Sequence, residues 1–151
     1  MHPSAVEGLV VGEHGTTEVM LWSSVRVAGT PLLEAFDGQS ALDDLRERVE
    51  EQVRFANITI IEGNDASRFG IGAACARIAE AILRDERVVL PVAAYRERYG
   101  TTIALPTVVG RAGAVRDFEP GMSADERHAF EASAATVREA ARGVLAPGGV
   151  G

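Results

Sequence analysis

The residue best suited to chemistry in this sequence is His14, which stands in the run Gly12-Glu13-His14-Gly15. An imidazole titrates near neutral pH, so it is the usual side chain for giving or taking a proton during a reaction. Glycine on both flanks of the Glu-His pair leaves room for a ligand and permits backbone angles that other residues avoid. The run directly follows residues 6–11 (Val-Glu-Gly-Leu-Val-Val), an apolar, β-rich stretch that reads as a buried strand. The end of a rigid element is where a reactive side chain can be held. These features fit a general acid or base, and they also fit a loop histidine satisfied by its neighbours.

Other candidates carry less. The three histidines, His2, His14 and His128, are scattered, and none has a second ligand at helical spacing with a matching third, so no metal site is expected. His128 falls in the first turns of a helical segment and reads as a solvated surface residue. Cys75 is the sole cysteine, which rules out an internal disulfide; on a helical apolar stripe it reads as an inert buried thiol. The nearest approach to a dinucleotide loop is Gly70-Ile-Gly72-Ala-Ala-Cys75, which lacks the third glycine and the acidic residue expected some twenty positions on. Close helix packing by small residues explains it better, and no Walker loop is present.

The elements that must position His14 follow from periodicity. Residues 17–27 read as a second strand, broken by Gly29, Thr30 and Pro31. From Ser40, a possible cap, to about Asn57, the residues Leu42, Leu45, Val49, Val53 and Ala56 recur at spacings of three and four, which predicts a helix. Residues 58–61 (Ile-Thr-Ile-Ile) either form a short strand or finish that helix. A second helix is expected from about Ser67 to Arg84. Its Gly- and Ala-rich face suggests a central, tightly packed element. Residues 88–95, 103–109 and 114–118 read as strands, the last two joined by a Gly-rich turn through Gly110 to Gly113. Ser123 and Glu126 form a capping-box pattern opening a final helix with Phe130, Ala134, Val137, Ala141 and Val144 on its apolar stripe. Residues 146–151 read as a loose tail.

Composition bounds the class. The chain has 151 residues, which suits one domain, and 46% apolar with 25% charged residues is the balance of a soluble globular protein. A net charge of −7 repels phosphate backbones and anionic lipid, which argues against nucleic acid and membranes as partners. A small anionic substrate remains compatible, because one local arginine can hold a carboxylate. With a single cysteine, no signal-like N-terminus and no apolar run of about 18 residues, the expected location is the cytoplasm.

The runs Gly12-Glu13-His14-Gly15, Glu18-Val19, Trp22-Ser23-Ser24 and Gly29-Thr30-Pro31 resemble the active-site segment of the L-lactate/malate dehydrogenase family. The likeness continues through Ala66-Ser67-Arg68-Phe69-Gly70-Ile71-Gly72, Leu105-Pro106-Thr107-Val108-Val109 and the closing helix with Ser133-Ala134-Ala135. It covers nearly the whole chain in the family's order, and resembles the family's C-terminal, substrate-side domain alone.

This resemblance implies an α+β fold over residues 1–151, a mostly antiparallel twisted sheet packed with long helices. It implies NAD-dependent interconversion of pyruvate and L-lactate, with malate dehydrogenation or a non-catalytic oligomerisation domain as the alternatives. In such enzymes the histidine matching His14 passes a proton to the substrate's ketone oxygen. Ser67 matches a threonine that faces the substrate, and Ile71 an apolar residue that packs on the nicotinamide ring. The sequence departs from the family's pattern at Thr16-Thr17, where an acidic residue often precedes a hydroxyl. It also departs at Glu7, where some bacterial members carry a histidine for a sugar bisphosphate, so no such activation is expected. The aspartate that orients the histidine, the arginine that grips the substrate carboxylate and the Rossmann NAD-binding half would all lie outside this chain. The isolated chain is therefore expected to be inactive, and to bind a Rossmann-domain partner or self-associate as a homo-oligomer through apolar surface on its Gly/Ala-rich helix and its strand ends.

Overall fold

A computed structural model of the chain describes residues 2–35, 38–64 and 68–145. Its centre is a three-stranded antiparallel sheet of β6 (Val88–Arg96), β7 (Thr101–Gly110) and β8 (Gly113–Asp117), with β7 in the middle. Burial alternates along β6 as the pleat dictates: Val88, Leu90 and Val92 are half-buried, while Val89, Pro91 and Ala93 face outward. The central strand β7 is buried along most of its length, as a strand covered on both faces must be. Gly110 pairs with Gly113 across the two-residue turn to β8, where Gly113 takes a φ of 84°.

The core lies where the final helix, α4 (Ala124–Leu145), packs on β7. Phe130 and Ala134 from α4 meet Ile103 and Leu105 from β7, and Val11, Val19 and Leu21 complete the cluster. The capping box forms as its sequence demands. Glu126 N–H donates to Ser123 Oγ at 3.2 Å, and Ser123 N–H donates to the Glu126 carboxylate at 2.8 Å. The same carboxylate also accepts Ser23 N–H at 2.8 Å and the Ser23 hydroxyl, tying the start of α4 to a 3₁₀ turn at Trp22–Ser24.

That clasp makes stability depend on pH. Partial burial pushes the Glu126 carboxyl up, but the bonds from Ser23 and Ser123 together outweigh it and hold the group below its ordinary value of 4.5. A depressed carboxylate stabilises the fold above the unfolded value, and that contribution is lost as pH falls through the folded one. Urea midpoints measured from neutral pH to about pH 3 are therefore expected to fall more steeply for the native chain than for Glu126→Gln. Parallel acid limbs would contradict this.

The N-terminal third departs from expectation. Residues 6–11 do not form one buried strand but two short pieces, β1 (Val6–Glu7) and β2 (Val10–Val11), of which only Val11 is buried. Residues 17–27 likewise divide into β3 (Val19–Met20), the 3₁₀ turn and β4 (Arg26–Val27). The cause is pairing: β1 pairs with β4, which pairs with β5 (Thr30–Pro31), while β2 pairs with β3 in a separate hairpin. Two partners pull on one run, and the chain breaks between them at Gly8. A single helical turn, α1 (Leu32–Ala35), follows.

The long helix α2 (Gln39–Asn64) absorbs residues 58–61, so Ile-Thr-Ile-Ile finishes the helix and makes no strand. It starts just before Ser40, with Leu42 N–H bonded to Gly38 O at 3.3 Å, so Ser40 lies inside the first turn and is not the cap. The helix α3 (Phe69–Leu83) corrects two further expectations. It is peripheral: Ala81 is buried and Ile78 and Ile82 half-buried against the fold, but residues 69–76 are all exposed. Cys75 is among them, so the thiol is exposed. The apolar stripe read as core on α3 is in large part bare surface, with Phe69 at 94% and Ile71 at 60% exposure. In α4 the stripe is buried at Phe130 and Ala134 but ends in exposed Ala141 and Val144. His128 is exposed, as read from sequence. The tail, residues 146–151, lies outside the described residues.

Candidate active site

His14 lies at the tip of the β2–β3 hairpin, in the loop of residues 12–18, and its side chain is exposed. The hairpin's arms are registered by Val10 opposite Met20 and Val11 opposite Val19, with Leu21 N–H bonded to Leu9 O at 2.9 Å. Buried Val11, Val19 and Leu21 anchor both arms in the core, so the loop is carried by packed residues.

The loop is fixed at each end. Gly12 N–H donates to Ala104 O at 3.3 Å and Ala104 N–H to Gly12 O at 3.2 Å, an antiparallel bridge to β7. Strand β6 holds one edge of β7 throughout, and β8 pairs with the other only as far as Thr107. Gly12 therefore takes the edge that β8 leaves open. At the far end of the loop, Glu18 N–H donates to Gly15 O at 3.3 Å, closing a turn just past His14.

Beneath the loop sits Ser133 of α4, fully buried. Its Oγ accepts Glu13 N–H at 2.9 Å and lies 3.1 Å from Thr17 Oγ1, which in turn donates to the Glu13 carboxylate. Gly12 makes this approach possible. Its φ is 97°, a left-handed backbone, and a Cβ there would come within 2.8 Å of Ser133 Oγ.

Of the other residues singled out from sequence, Ile71 stands in the second turn of α3, exposed beside the still more exposed Phe69. Helix α3 and the loop bridge both contact β7, but the buried residue of α3 is Ala81, ten positions on from Ile71, so the shared strand does not itself bring Ile71 to His14. Ser67 lies outside the described residues. Gly70 and Gly72 do not form a phosphate loop: both are inside α3, and Gly72 N–H is spent on Arg68 O at 2.9 Å. Among the described residues, no group of three or more His, Cys, Asp or Glu side chains is arranged to hold a metal. Nor, among them, is any helix long and apolar enough to cross a membrane.

Sequence reasoning missed the role of Ser133. It is 120 residues from Glu13 in the chain, and no local pattern links them. One signal was available: with Phe130, Ala134 and Val137 it completes a helical stripe at spacings of three and four, and a serine on an apolar stripe needs a partner for its hydroxyl.

Comparison with known proteins gives a consistent picture. A profile of the lactate/malate dehydrogenase alpha/beta C-terminal domain matches residues 1–146. The chain is similar to the L-lactate dehydrogenase of Deinococcus radiodurans, 44% identical over 133 residues, covering 87% of this chain and 44% of that protein. It is also similar to the L-lactate dehydrogenase of Thermus aquaticus, 39% identical over 146 residues, covering 92% and 47%. Among solved structures, the minor L-lactate dehydrogenase from Enterococcus mundtii superposes with a TM-score of 0.84 at 29% identity, over 97% of this chain and 48% of that one. A lactate dehydrogenase from a deep-sea metagenome library of the Medee basin gives 0.82 at 28%, over 92% and 46%. The chain thus spans less than half the length of each of these relatives.

Proposed function

The chain belongs to the lactate/malate dehydrogenase family as its alpha/beta C-terminal domain, and from that premise we propose that it is the substrate-side part of an NAD-dependent L-lactate dehydrogenase, with His14 as its proton donor and acceptor. The observation that carries this reading is an exposed imidazole on a loop pinned by backbone to β7 and by side chains to α4. A group meant to meet substrate must be both reachable and held still.

In this reading a ring nitrogen of His14 gives its proton to the ketone oxygen of a 2-keto acid, and takes the hydroxyl proton back in the reverse direction. The positive imidazolium also stabilises negative charge gathering on that oxygen. NADH, when bound, supplies the hydride that reaches the carbonyl carbon. The residues present fit only one side of that cofactor. Ile71 offers a bare apolar surface on α3 for the nicotinamide ring, while the Gly72 N–H beside it is spent inside the helix and the sequence lacks the third glycine of a pyrophosphate cradle. The rest of the NAD site then belongs to a Rossmann half, and the exposed face of α3 around Phe69 and Ile71 is where that half would dock. Ser67, by the family resemblance, is the second residue proposed for substrate binding.

The test joins this chain to the NAD-binding half of a relative such as the Deinococcus radiodurans enzyme and follows NADH oxidation. Pyruvate-dependent oxidation is expected from the joined protein and none from either part alone. Preference for oxaloacetate would move the reading to malate dehydrogenation. A folded, assembled protein that oxidises NADH with neither keto acid would overturn it.

A further inference from the structure

We propose that Ser133, acting with Thr17, is a positioning residue for His14: a closed run of hydrogen bonds through two hydroxyls fixes the loop that presents the imidazole. This rests on the reading of His14 as the acid/base group and adds to it a residue from the opposite end of the chain.

The argument is one of proton counting. Each hydroxyl has one proton to donate and lone pairs to accept. Thr17 Oγ1 spends its proton on the Glu13 carboxylate, which can only accept. The contact of 3.1 Å between Thr17 and Ser133 must then use the proton of Ser133. Ser133 Oγ in turn accepts Glu13 N–H at 2.9 Å. The direction is therefore settled: Glu13 N–H to Ser133, Ser133 to Thr17, Thr17 to the Glu13 carboxylate. The run begins and ends on the residue adjoining His14. Every donor is used once, and such directed chains strengthen each member by polarisation.

What the run fixes is also specific. It holds Glu13 and Thr17, which lie on either side of His14, while the Gly12 bridge to Ala104 holds the residue before them. The Glu13 carboxylate is folded back over Gly15, where an added Cβ would come within 3.0 Å of it. His14 itself takes no part in the run, which leaves its ring free for substrate. A serine whose hydroxyl served only the interior would have no reason to end on an acidic loop residue beside the imidazole.

Two measurements test this. In the joined protein, below its melting temperature, Ser133→Ala and Thr17→Val are each expected to lower kcat about tenfold while KM for pyruvate stays within about twofold, since a slightly misplaced donor costs rate more than binding. Thr17→Ser, which keeps the hydroxyl, should restore most of the loss. In the chain alone, Ser133→Ala should speed hydrogen exchange at the Glu13 amide about tenfold, the scale of one net hydrogen bond, while amides paired between β6 and β7 hold their rates. Glu13 exchange unchanged in Ser133→Ala would overturn the proposal, whatever the joined protein does. So would unchanged kcat in both hydroxyl-deletion variants when His14→Asn is inactive. If instead His14→Asn itself turns over normally, the functional reading fails rather than the hydrogen-bonded run.

Discussion

Replacing His14 by asparagine is expected to lower pyruvate turnover of the joined protein by about 10²–10⁴-fold, the range supplied by a positioned acid/base group. Asparagine is close to histidine in size and can still donate a hydrogen bond to a carbonyl, so substrate binding should change far less than rate. It cannot surrender a proton or carry the positive charge that steadies the developing alkoxide. The fold should not notice the change. The imidazole is exposed, and the bonds that shape residues 12–18 run through the backbone of Gly12, Glu13, Gly15 and Glu18 and the side chains of Glu13, Thr17 and Ser133. The measurement is a steady-state comparison with melting curves alongside. Retention of more than about a tenth of the native kcat, in a variant that melts normally, would remove His14 from the chemistry.

The His14 loop was partly legible in the sequence, and the reason is local. Glycines on both sides of Glu13-His14 mark a backbone that must turn and approach something closely, and Gly12 does so at a φ of 97° against Ser133. What it approaches could not be read, because contacts between residues 120 positions apart leave no periodic trace. The same division holds for the fold. The strands β6, β7 and β8 follow from short apolar runs and, between the last two, a glycine-flanked turn, and α4 from its capping box, all of them short-range signals.

Where the sequence misled, two surfaces competed for one stretch of chain. Residues 6–11 and 17–27 have the composition of full strands, yet they break because β1 and β2 pair with different partners. In α3 the small and apolar residues suggest a packed interior. That composition says only that something approaches closely, and within this chain the approach is made by the stretch around Ala81, not by Phe69 to Ala76. An outward face so apolar, with Phe69 and Ile71 bare, fits a docking partner better than it fits water.

Phe130→Ala is expected to cost about 3–5 kcal/mol of folding stability, the range for removing a fully buried aromatic side chain. Phe130 is completely enclosed, and it belongs to one cluster with residues from both halves of the core: Ile103 and Leu105 from β7, and Val11, Val19 and Leu21 from the hairpin that carries His14. It also meets Tyr99 in a T-shaped pair, with ring centroids 5.1 Å apart at 84°, an arrangement worth about 0.5–1.5 kcal/mol beyond area alone. Domains of this kind keep only about 5–15 kcal/mol in total, so the variant should be folded but marginal, with its urea midpoint sharply lowered. Phe130→Leu, which keeps most of the volume, should lose much less. The consequence reaches the loop because Phe130 and Ser133 lie one turn apart on the same face of α4. If packing of Phe130 is what seats that face, Glu13 amide exchange should quicken in Phe130→Ala although no hydrogen-bonding atom has been removed. A stability loss under about 1 kcal/mol would mean that the hairpin and β7 hold α4 by other contacts, and that the hydroxyl of Ser133 owes its place to something other than this ring.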